Sequence, residues 1–149
     1  MKKLLSSFAL IFLLFSCEKV ERTESEEKIS YEHHSDWTKS AVIYELNIRQ
    51  LTPEGTFKAI IPHLDRLKDM GVDIIWFMPI HPIGEENRKG ELGSYYSVRD
   101  YKKVNPNYGS LADFKELVDE IHKREMFVLI DWVANHTAWD NPWVEEHPD

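Results

Sequence analysis

Cysteine and long apolar runs are scarce in this sequence. Cys17 is the only cysteine among the 149 residues, so no disulfide can form within the chain. The spacing of cysteine and histidine also matches no zinc-binding pattern. The longest apolar stretch, residues 4–15, contains two serines and is too short to cross a bilayer comfortably as a permanent helix. These absences exclude a disulfide framework and argue against a membrane-spanning protein.

Basic charge and nucleotide-binding motifs are also lacking. Lysine and arginine together number 18 against 26 aspartates and glutamates, which gives a formal net charge of −8. Loss of residues 1–16 would remove two lysines and no acid, so the charge would become still more negative. An acidic surface of this kind argues against nucleic acid as a partner. The sequence has neither a phosphate-binding glycine loop nor a serine nucleophile elbow.

The first 16 residues have the layout of a secretory signal. Two lysines precede the apolar stretch, and Ser16 precedes Cys17. The segment Leu13–Cys17 resembles a bacterial lipobox, which predicts cleavage before Cys17 and attachment of a lipid to its sulfur. The alternative is an ordinary signal peptide followed by an incidental cysteine. The lipobox predicts an exported protein that is anchored through Cys17 in the bacterial cell envelope, at the outer membrane or the periplasmic face.

Residues 17–37 differ in composition from the rest of the chain. They are charged, rich in glutamate and without an apolar period, which is typical of a solvated tether. From residue 38 onwards, apolar residues recur with the spacing of strands and helices. Residues 38–149 are therefore predicted to form the folded domain, and they show no internal repeat.

Three apolar stretches predict β-strands. They are Ala41–Ile48, Val72–Ile80 and the stretch from Met126 to Ile130. The third stretch ends abruptly in a polar segment that contains Asp131, Asn135 and His136. Parallel α/β sheets bind their ligands where the strands finish, so the sequence predicts a functional site at this end of the sheet.

Two helices are predicted between these strands. The first has apolar residues at helical spacing, but Pro62 interrupts it, so the helix either begins near Ile61 or is kinked at Pro62. Gly71 is predicted to end it. The second helix begins at Ser110, with Asp113 three residues later as in a capping box. Its buried stripe is predicted to consist of Leu111, Phe114, Leu117, Val118 and Ile121.

The connections between these elements are unequal. Residues 81–109 are rich in glycine, proline and charge, and they are predicted to form a functional loop because plain connectors are shorter. Glu125 stands where glycine usually ends a helix, so a strained turn is expected there. The alternation of strands and helices predicts an α/β fold with a parallel sheet. Three strands and two helices cannot close an eight-stranded barrel, which needs roughly 250 residues.

Several of these segments together resemble the alpha-amylase superfamily, glycoside hydrolase family 13. The residues that carry the resemblance are Asp131–His136, the second strand Ile74–Ile80, and Gly93–Tyr101 with Val104–Gly109. They occur in the order that the family has. The resemblance implies the N-terminal part of a (β/α)8 TIM barrel, truncated after strand three at the start of the excursion domain. It also implies an α-glucan, such as starch or a maltooligosaccharide, as the partner.

The resemblance assigns roles to four residues. Tyr96 would stack on the sugar in the subsite before the scissile bond, since an aromatic ring suits the apolar face of a pyranose. His136 would hydrogen-bond the hydroxyls of the same sugar. Asp131 would order the site through hydrogen bonds, and Asn135 would ligate a structural calcium, which takes six to eight oxygens. The family's Gly-Tyr-Asp is Tyr-Tyr-Ser at residues 95–97, which leaves the fine substrate preference open.

The resembling family carries its catalytic carboxylates on strands four, five and seven, which this sequence does not contain. Retaining glycosidases need a nucleophile and an acid/base about 5 Å apart, so the 149-residue chain alone is expected to be inactive. Other carboxylates near the end of the sequence are predicted to be solvated loop charges, namely Asp140, Glu145, Glu146 and Asp149. Two alternatives stay open. One is a surface lipoprotein that binds α-glucan through aromatics such as Trp139 and Trp143 without cleaving it, and the other is a non-functional truncated remnant.

Overall fold

The structure is a computed structural model that describes residues 35–147. The predicted signal segment, residues 1–16, and the predicted lipidation site, Cys17, lie outside the described residues. The described strands are β1 Ile43–Leu46, β2 Ile74–Phe77 and β3 Phe127–Ile130. The described α-helices are α1 Ile48–Leu51, α2 Phe57–Ile60, α3 Leu64–Asp69, α4 Leu111–Lys123 and α5 Pro142–Glu146, with 3-10 helices at Asp36–Lys39 and Ile61–His63. None of the helices between residues 35 and 147 is long and apolar enough to cross a bilayer.

The three strands form one parallel sheet in the order β1, β2, β3. The register pairs Ile43 with Ile74 and Ile74 with Phe127, so the strands begin level with one another. This confirms the predicted parallel sheet.

β1 is shorter than predicted because the chain turns into α1 directly after it. The side chain of Asn47 caps α1 by accepting a hydrogen bond of 3.1 Å from the backbone N–H of Arg49.

The helices cover one face of the sheet and enclose the core. Its fully buried side chains come from β1 and β2 on one side and from α2, α3 and α4 on the other, and they include Leu46, Ile75, Phe77, Phe57, Ile60, Leu64, Leu67, Leu117 and Ile121. Burial of so many large apolar side chains is the main source of stability for a domain of this size. The first predicted helix, which corresponds to α2 and α3, and the second, α4, therefore pack their apolar stripes against the sheet, as the helical spacing predicted.

The opposite face of the sheet is open. Side chains alternate between the two faces of a strand, so the registered residues Ile43, Ile74 and Phe127 share this face, followed two residues later by Glu45, Trp76 and Leu129. Ile43, Phe127 and Leu129 are each about half exposed. Trp37 stacks on Phe127 with ring centroids 4.6 Å apart and an interplanar angle of 14°. An open apolar face of this kind favours association at high protein concentration.

Helix α4 begins with the predicted capping box. The Ser110 hydroxyl accepts a hydrogen bond from the backbone N–H of Asp113, and the Asp113 carboxylate accepts one from the backbone N–H of Ser110. This second bond is the main reason why the pKa of Asp113 falls to about 2. The prediction that Leu111 is buried was wrong. Phe114 packs on Phe77, the last residue of β2, so Leu111, one turn earlier, extends beyond the strand.

The chain stays helical on both sides of Pro62. Helix α2 begins at Phe57, the turn Ile61–His63 is a 3-10 helix, and α3 continues to Asp69. Of the two alternatives for Pro62, the structure therefore has an interruption within a longer helical segment and not a helix start. Gly71 ends this segment with a φ of +83°, and its N–H donates to the carbonyl of Lys68 over 2.9 Å.

The strained turn expected at Glu125 is present. Glu125 has a φ of +55°, in the left-handed region, and its N–H donates to the carbonyl of His122 over 2.9 Å. We expect Glu125→Gly to raise the free energy of unfolding by about 0.5–1 kcal/mol, because glycine adopts this conformation without a steric cost. Urea denaturation would measure it. Lys115→Gly, in the exposed interior of α4, is the matched control and should lower the same quantity by about as much.

The loop between β2 and α4 is held in shape by its own hydrogen bonds. Ile83 and Val98 form an antiparallel bridge, flanked by a bond of 2.9 Å from the Gly84 N–H to the carbonyl of Ser97. The guanidinium of Arg88 donates to the carbonyls of Gly84, Ile83 and Glu91. These contacts fold the loop back towards the carboxyl ends of the strands, where the polar segment after β3 also lies.

Candidate functional site

Tyr95 fixes the long loop to the end of β1. The side-chain amide of Asn47 donates a hydrogen bond of 2.9 Å to the phenol oxygen of Tyr95. The guanidinium carbon of Arg49 lies 4.6 Å from the centroid of the Tyr95 ring, which is cation–π geometry. Sequence analysis gave Asn47 and Arg49 no role at the site. Their contacts determine where the next residue, Tyr96, is placed.

Tyr96 lies beside two carboxylates at the carboxyl end of the sheet. Partial burial, a hydrogen bond to Asp131 and the negative charge of Glu45 together raise the pKa of Tyr96 above its usual value. The phenol is therefore neutral and can act as a donor. Asp131 continues β3, because its N–H donates to the carbonyl of Phe77 over 2.9 Å. By the alternation of the strand, Asp131 lies on the open face with Leu129.

Glu45 is a charged residue near Tyr96 to which sequence analysis gave no role. It sits on the open face of β1, in register with Trp76 of β2, and its charge reaches Tyr96. A signal was available, since Glu45 is the only charged residue in the apolar stretch from Ala41 to Leu46. A charged residue near the carboxyl end of a barrel strand is a candidate site residue.

The segment after β3 is held by Tyr101. The Tyr101 hydroxyl lies 2.5 Å from the carbonyl oxygen of Val133 and 2.9 Å from that of His136. Burial raises the pKa of Tyr101, so its hydroxyl keeps the proton that it shares between these two acceptors. The ring of Tyr101 stacks on Trp143 with centroids 5.3 Å apart. The hydrogen bond from Tyr101 to the carbonyl of His136 links two positions that are 35 residues apart and holds the segment of His136 against the long loop.

His136 is exposed and oriented by Asn135. The Nδ2 of Asn135 lies 3.3 Å from Nδ1 of His136. An amide N–H can only donate, so this contact leaves the proton of a neutral imidazole on Nε2. The Nε2 of His136 is then the hydrogen-bond donor that a ligand would meet.

Tyr96 and His136 line the same cleft. Its volume is about 310 Å³, and its remaining walls are residues of the long loop together with Thr137 and Trp139. The structure thus brings the two predicted substrate-binding residues together. Asp131 and Asn135 do not line this cleft. Asp131 lies beside Tyr96, and Asn135 lies beside His136, so both are adjacent to residues that line the cleft.

Asn135 is the predicted calcium ligand. Calcium takes six to eight oxygen ligands, most often including carboxylates. Asn135 is exposed, and Oδ1 is the side-chain atom that calcium would bind. Within residues 35–147, no group of three or more histidine, cysteine, aspartate or glutamate side chains is arranged to hold a metal. We therefore assign no step to a metal, and the role of Asn135 as a calcium ligand stays a prediction.

A parallel α/β sheet with its polar site at the carboxyl ends of the strands is the arrangement of α/β-barrel and doubly wound α/β proteins. Residues 20–149 match the family model described as alpha amylase, catalytic domain. This chain belongs to the alpha-amylase family. The family resemblance drawn from the sequence is confirmed.

Two curated relatives illustrate the match. The chain is 34% identical over 117 residues to a probable oligo-1,6-glucosidase of Bacillus subtilis. This alignment covers 75% of this chain and 20% of that protein. It is 35% identical over 115 residues to a trehalose-6-phosphate hydrolase of the same organism, covering 74% of this chain and 19% of that protein. The chain therefore spans about a fifth of the length of the curated relatives it matches.

Solved structures show the same relationship. The chain superposes on an alpha-amylase from Lactobacillus plantarum with a TM-score of 0.73 and 46% identity, covering 75% of this chain and 27% of that one. On a maltogenic alpha-amylase from Thermotoga neapolitana the TM-score is 0.69 at 43% identity, covering 74% and 27%. The three strands and their helices correspond to part of the barrel in these enzymes. This confirms the predicted fold class.

Proposed function

We propose that this chain contributes the sugar-binding part of a retaining glycoside hydrolase that acts on α-glucans. The observation that carries the proposal is the shared cleft of Tyr96 and His136. The family match and the names of the relatives, an oligo-1,6-glucosidase and alpha-amylases, support the substrate class. The complete activity is a proposal, because the chain spans only about a fifth of the length of its curated relatives, 20% for the first of them.

The geometry supports a division of labour among the named residues. The ring of Tyr96 offers an apolar surface to the C–H face of a pyranose, and the Asp131 carboxylate lies beside its phenol. The Nε2 proton of His136 is available to a sugar hydroxyl. These contacts bind and orient one sugar ring. Orientation of this kind lowers the barrier of a reaction by positioning the bond that breaks.

The proposal predicts that the 149-residue chain binds maltotriose without cleaving it. A nucleophile and an acid/base facing one another across a bound sugar are needed for retention. In the described residues, Glu86 is the one carboxylate that lines the cleft, whereas Asp131 and Glu45 lie beside Tyr96, and no second carboxylate faces Glu86 across the cleft. The test is to incubate the purified chain with maltotriose and measure new reducing ends. Cleavage that co-purifies with the chain would contradict the proposed role.

Activity can be tested in a complete enzyme that carries this chain as the start of its barrel. His136→Ala should lower kcat/KM on maltotriose about 10- to 100-fold, because one hydrogen bond to the sugar is lost. His122→Ala is the matched control, since His122 is exposed in the last turn of α4. Retention is checked by NMR, which should show the α-anomer as the first product. Equal losses in both variants, or a β-anomer, would overturn the proposal.

A second candidate function is α-glucan binding without catalysis. It is favoured by one observation, the exposed indole of Trp139 at the wall of the cleft. The two candidates differ in the complete protein: a binder holds maltotriose with the same affinity as the enzyme but releases no product.

We also propose that the protein is exported and anchored to the membrane of the bacterial cell envelope by a lipid on Cys17. The proposal is supported by the two lysines, the apolar stretch 4–15 and the position of Cys17 directly after Ser16. Mass spectrometry of the mature N-terminus is the direct measurement. An unmodified cysteine there would contradict it.

A further inference from the structure

We propose that Trp139 forms a second sugar-binding surface beside Tyr96 and His136, so that the site takes at least two linked glucose units. This inference rests on the proposed function and specifies its substrate as an oligosaccharide. Trp139 lines the same cleft as Tyr96 and His136, and its side chain is 70% exposed. A flat, exposed indole suits the apolar face of a pyranose, as the phenol ring does.

Other exposed tryptophans of the described chain are differently placed. Trp37 stacks on Phe127, and Trp143 stacks on Tyr101, so each already has an aromatic partner. Trp132 is 75% exposed but does not line the cleft. Trp139 combines exposure with a place in the cleft wall.

The backbone on both sides of Trp139 is rigidly held. The N–H of Ala138 donates to the carbonyl of Val98 over 2.9 Å, and the side-chain amide of Asn141 donates to the same carbonyl over 3.2 Å. Ala138 and Asn141 are each 2% exposed. The chain thus fixes the neighbours of Trp139 while leaving its indole uncovered. A surface fixed in advance loses little conformational entropy when a ligand binds.

Asp140 and Gly84 complete this support. The Asp140 carboxylate accepts a hydrogen bond of 2.9 Å from the backbone N–H of Glu85 and lies 3.4 Å from the Arg99 guanidinium. Gly84 lets the two segments approach closely. A Cβ at Gly84 would lie 2.4 Å from the Cβ of Ala138 and 2.7 Å from Oδ1 of Asp140. The turn that carries Trp139 is therefore packed directly against the long loop.

The size and lining of the cleft favour a carbohydrate that extends beyond it. A volume of about 310 Å³ is at the lower end of the range for small-molecule sites. A chain of several sugars must therefore leave the cleft over its wall. Polar side chains that can meet sugar hydroxyls also line it, namely Glu86, Asn87, Lys89, Ser94 and Thr137.

The experiment is a titration of the 149-residue chain, labelled with 15N, with glucose and with maltotriose. The NMR signals of the indole N–H groups report each tryptophan separately, and a Trp139→Phe variant identifies the signal of Trp139. We expect maltotriose to shift the Trp139 signal and to leave the Trp132 signal in place. Trp139→Ala should weaken maltotriose binding about five- to tenfold, and Trp139→Phe should weaken it less.

The controls separate this inference from the proposed function. Trp132→Ala is matched in residue type and exposure, and it should change maltotriose affinity less than about twofold. Glucose affinity should be the same with and without Trp139, since one sugar needs only Tyr96 and His136. Equal maltotriose affinity in wild type and Trp139→Ala would overturn the inference alone. If neither glucose nor maltotriose binds, both this inference and the proposed function are overturned. The same holds if the Trp139 signal shifts with protein concentration and not with added sugar.

Discussion

Phe57→Ala is expected to remove about 3–5 kcal/mol from the free energy of unfolding. Phe57 is fully buried at the point where three parts of the chain meet. Its ring centroid lies 5.1 Å from that of Phe114 in α4 and 5.9 Å from that of Tyr108 in the long loop. Its backbone N–H donates to the carbonyl of Tyr108 over 2.8 Å. Truncation leaves a cavity among aromatic rings that cannot collapse without moving α4.

The loss would consume much of the stability that a small domain has, which is about 5–15 kcal/mol in total. Urea denaturation followed by circular dichroism would measure it. Phe127→Ala is the matched control, because Phe127 is 48% exposed and stacks only on Trp37 among the aromatic rings of the described chain. Phe127→Ala should lower the free energy of unfolding by less than half as much as Phe57→Ala does. Similar losses in the two variants would contradict the core as described.

Tyr101→Phe should loosen the segment that carries His136. The change removes only the hydroxyl, which lies between the carbonyls of Val133 and His136. Both carbonyls then lose a protein partner, at a cost of about 1–2 kcal/mol. We expect faster hydrogen exchange at the amides of residues 133–137 and weaker binding of maltotriose. Hydrogen exchange followed by NMR, together with the sugar titration, would measure both effects.

Tyr44→Phe is the matched control for this change. Tyr44 lies in β1 and packs against the core, away from the carbonyls of Val133 and His136 to which Tyr101 donates. Its loss should therefore leave exchange at residues 133–137 as it was. Unchanged exchange in Tyr101→Phe as well would show that the segment is held by other contacts.

The parts of the fold that depend on short spacing were predictable from the sequence. The capping box of Ser110 and Asp113 links residues three apart, and the left-handed turns at Gly71 and Glu125 follow directly from where the helices stop. Alternation of strands and helices fixed the parallel sheet. The meeting of Tyr96 and His136 in one cleft agrees with their places in two family motifs, and their role in binding sugar stays a prediction.

Contacts between distant segments were not predictable. The Asn47 amide and the Tyr95 hydroxyl meet across 48 positions, and Tyr101 meets Val133 across 32. Neither pair has a periodicity that could reveal it, since each depends on how the long loop folds back on the sheet. The prediction that Leu111 is buried was wrong for a related reason. Helical spacing identifies the apolar stripe but not where the sheet beneath it ends.

The stack of Trp37 on Phe127 has a consequence for the direction in which the cleft faces. Phe127 begins β3, whereas the cleft with His136 lies beyond the other end of that strand. The stack thus lies at the amino-terminal end of the sheet, and the cleft lined by Tyr96 and His136 lies at the opposite end, so the cleft faces away from Trp37.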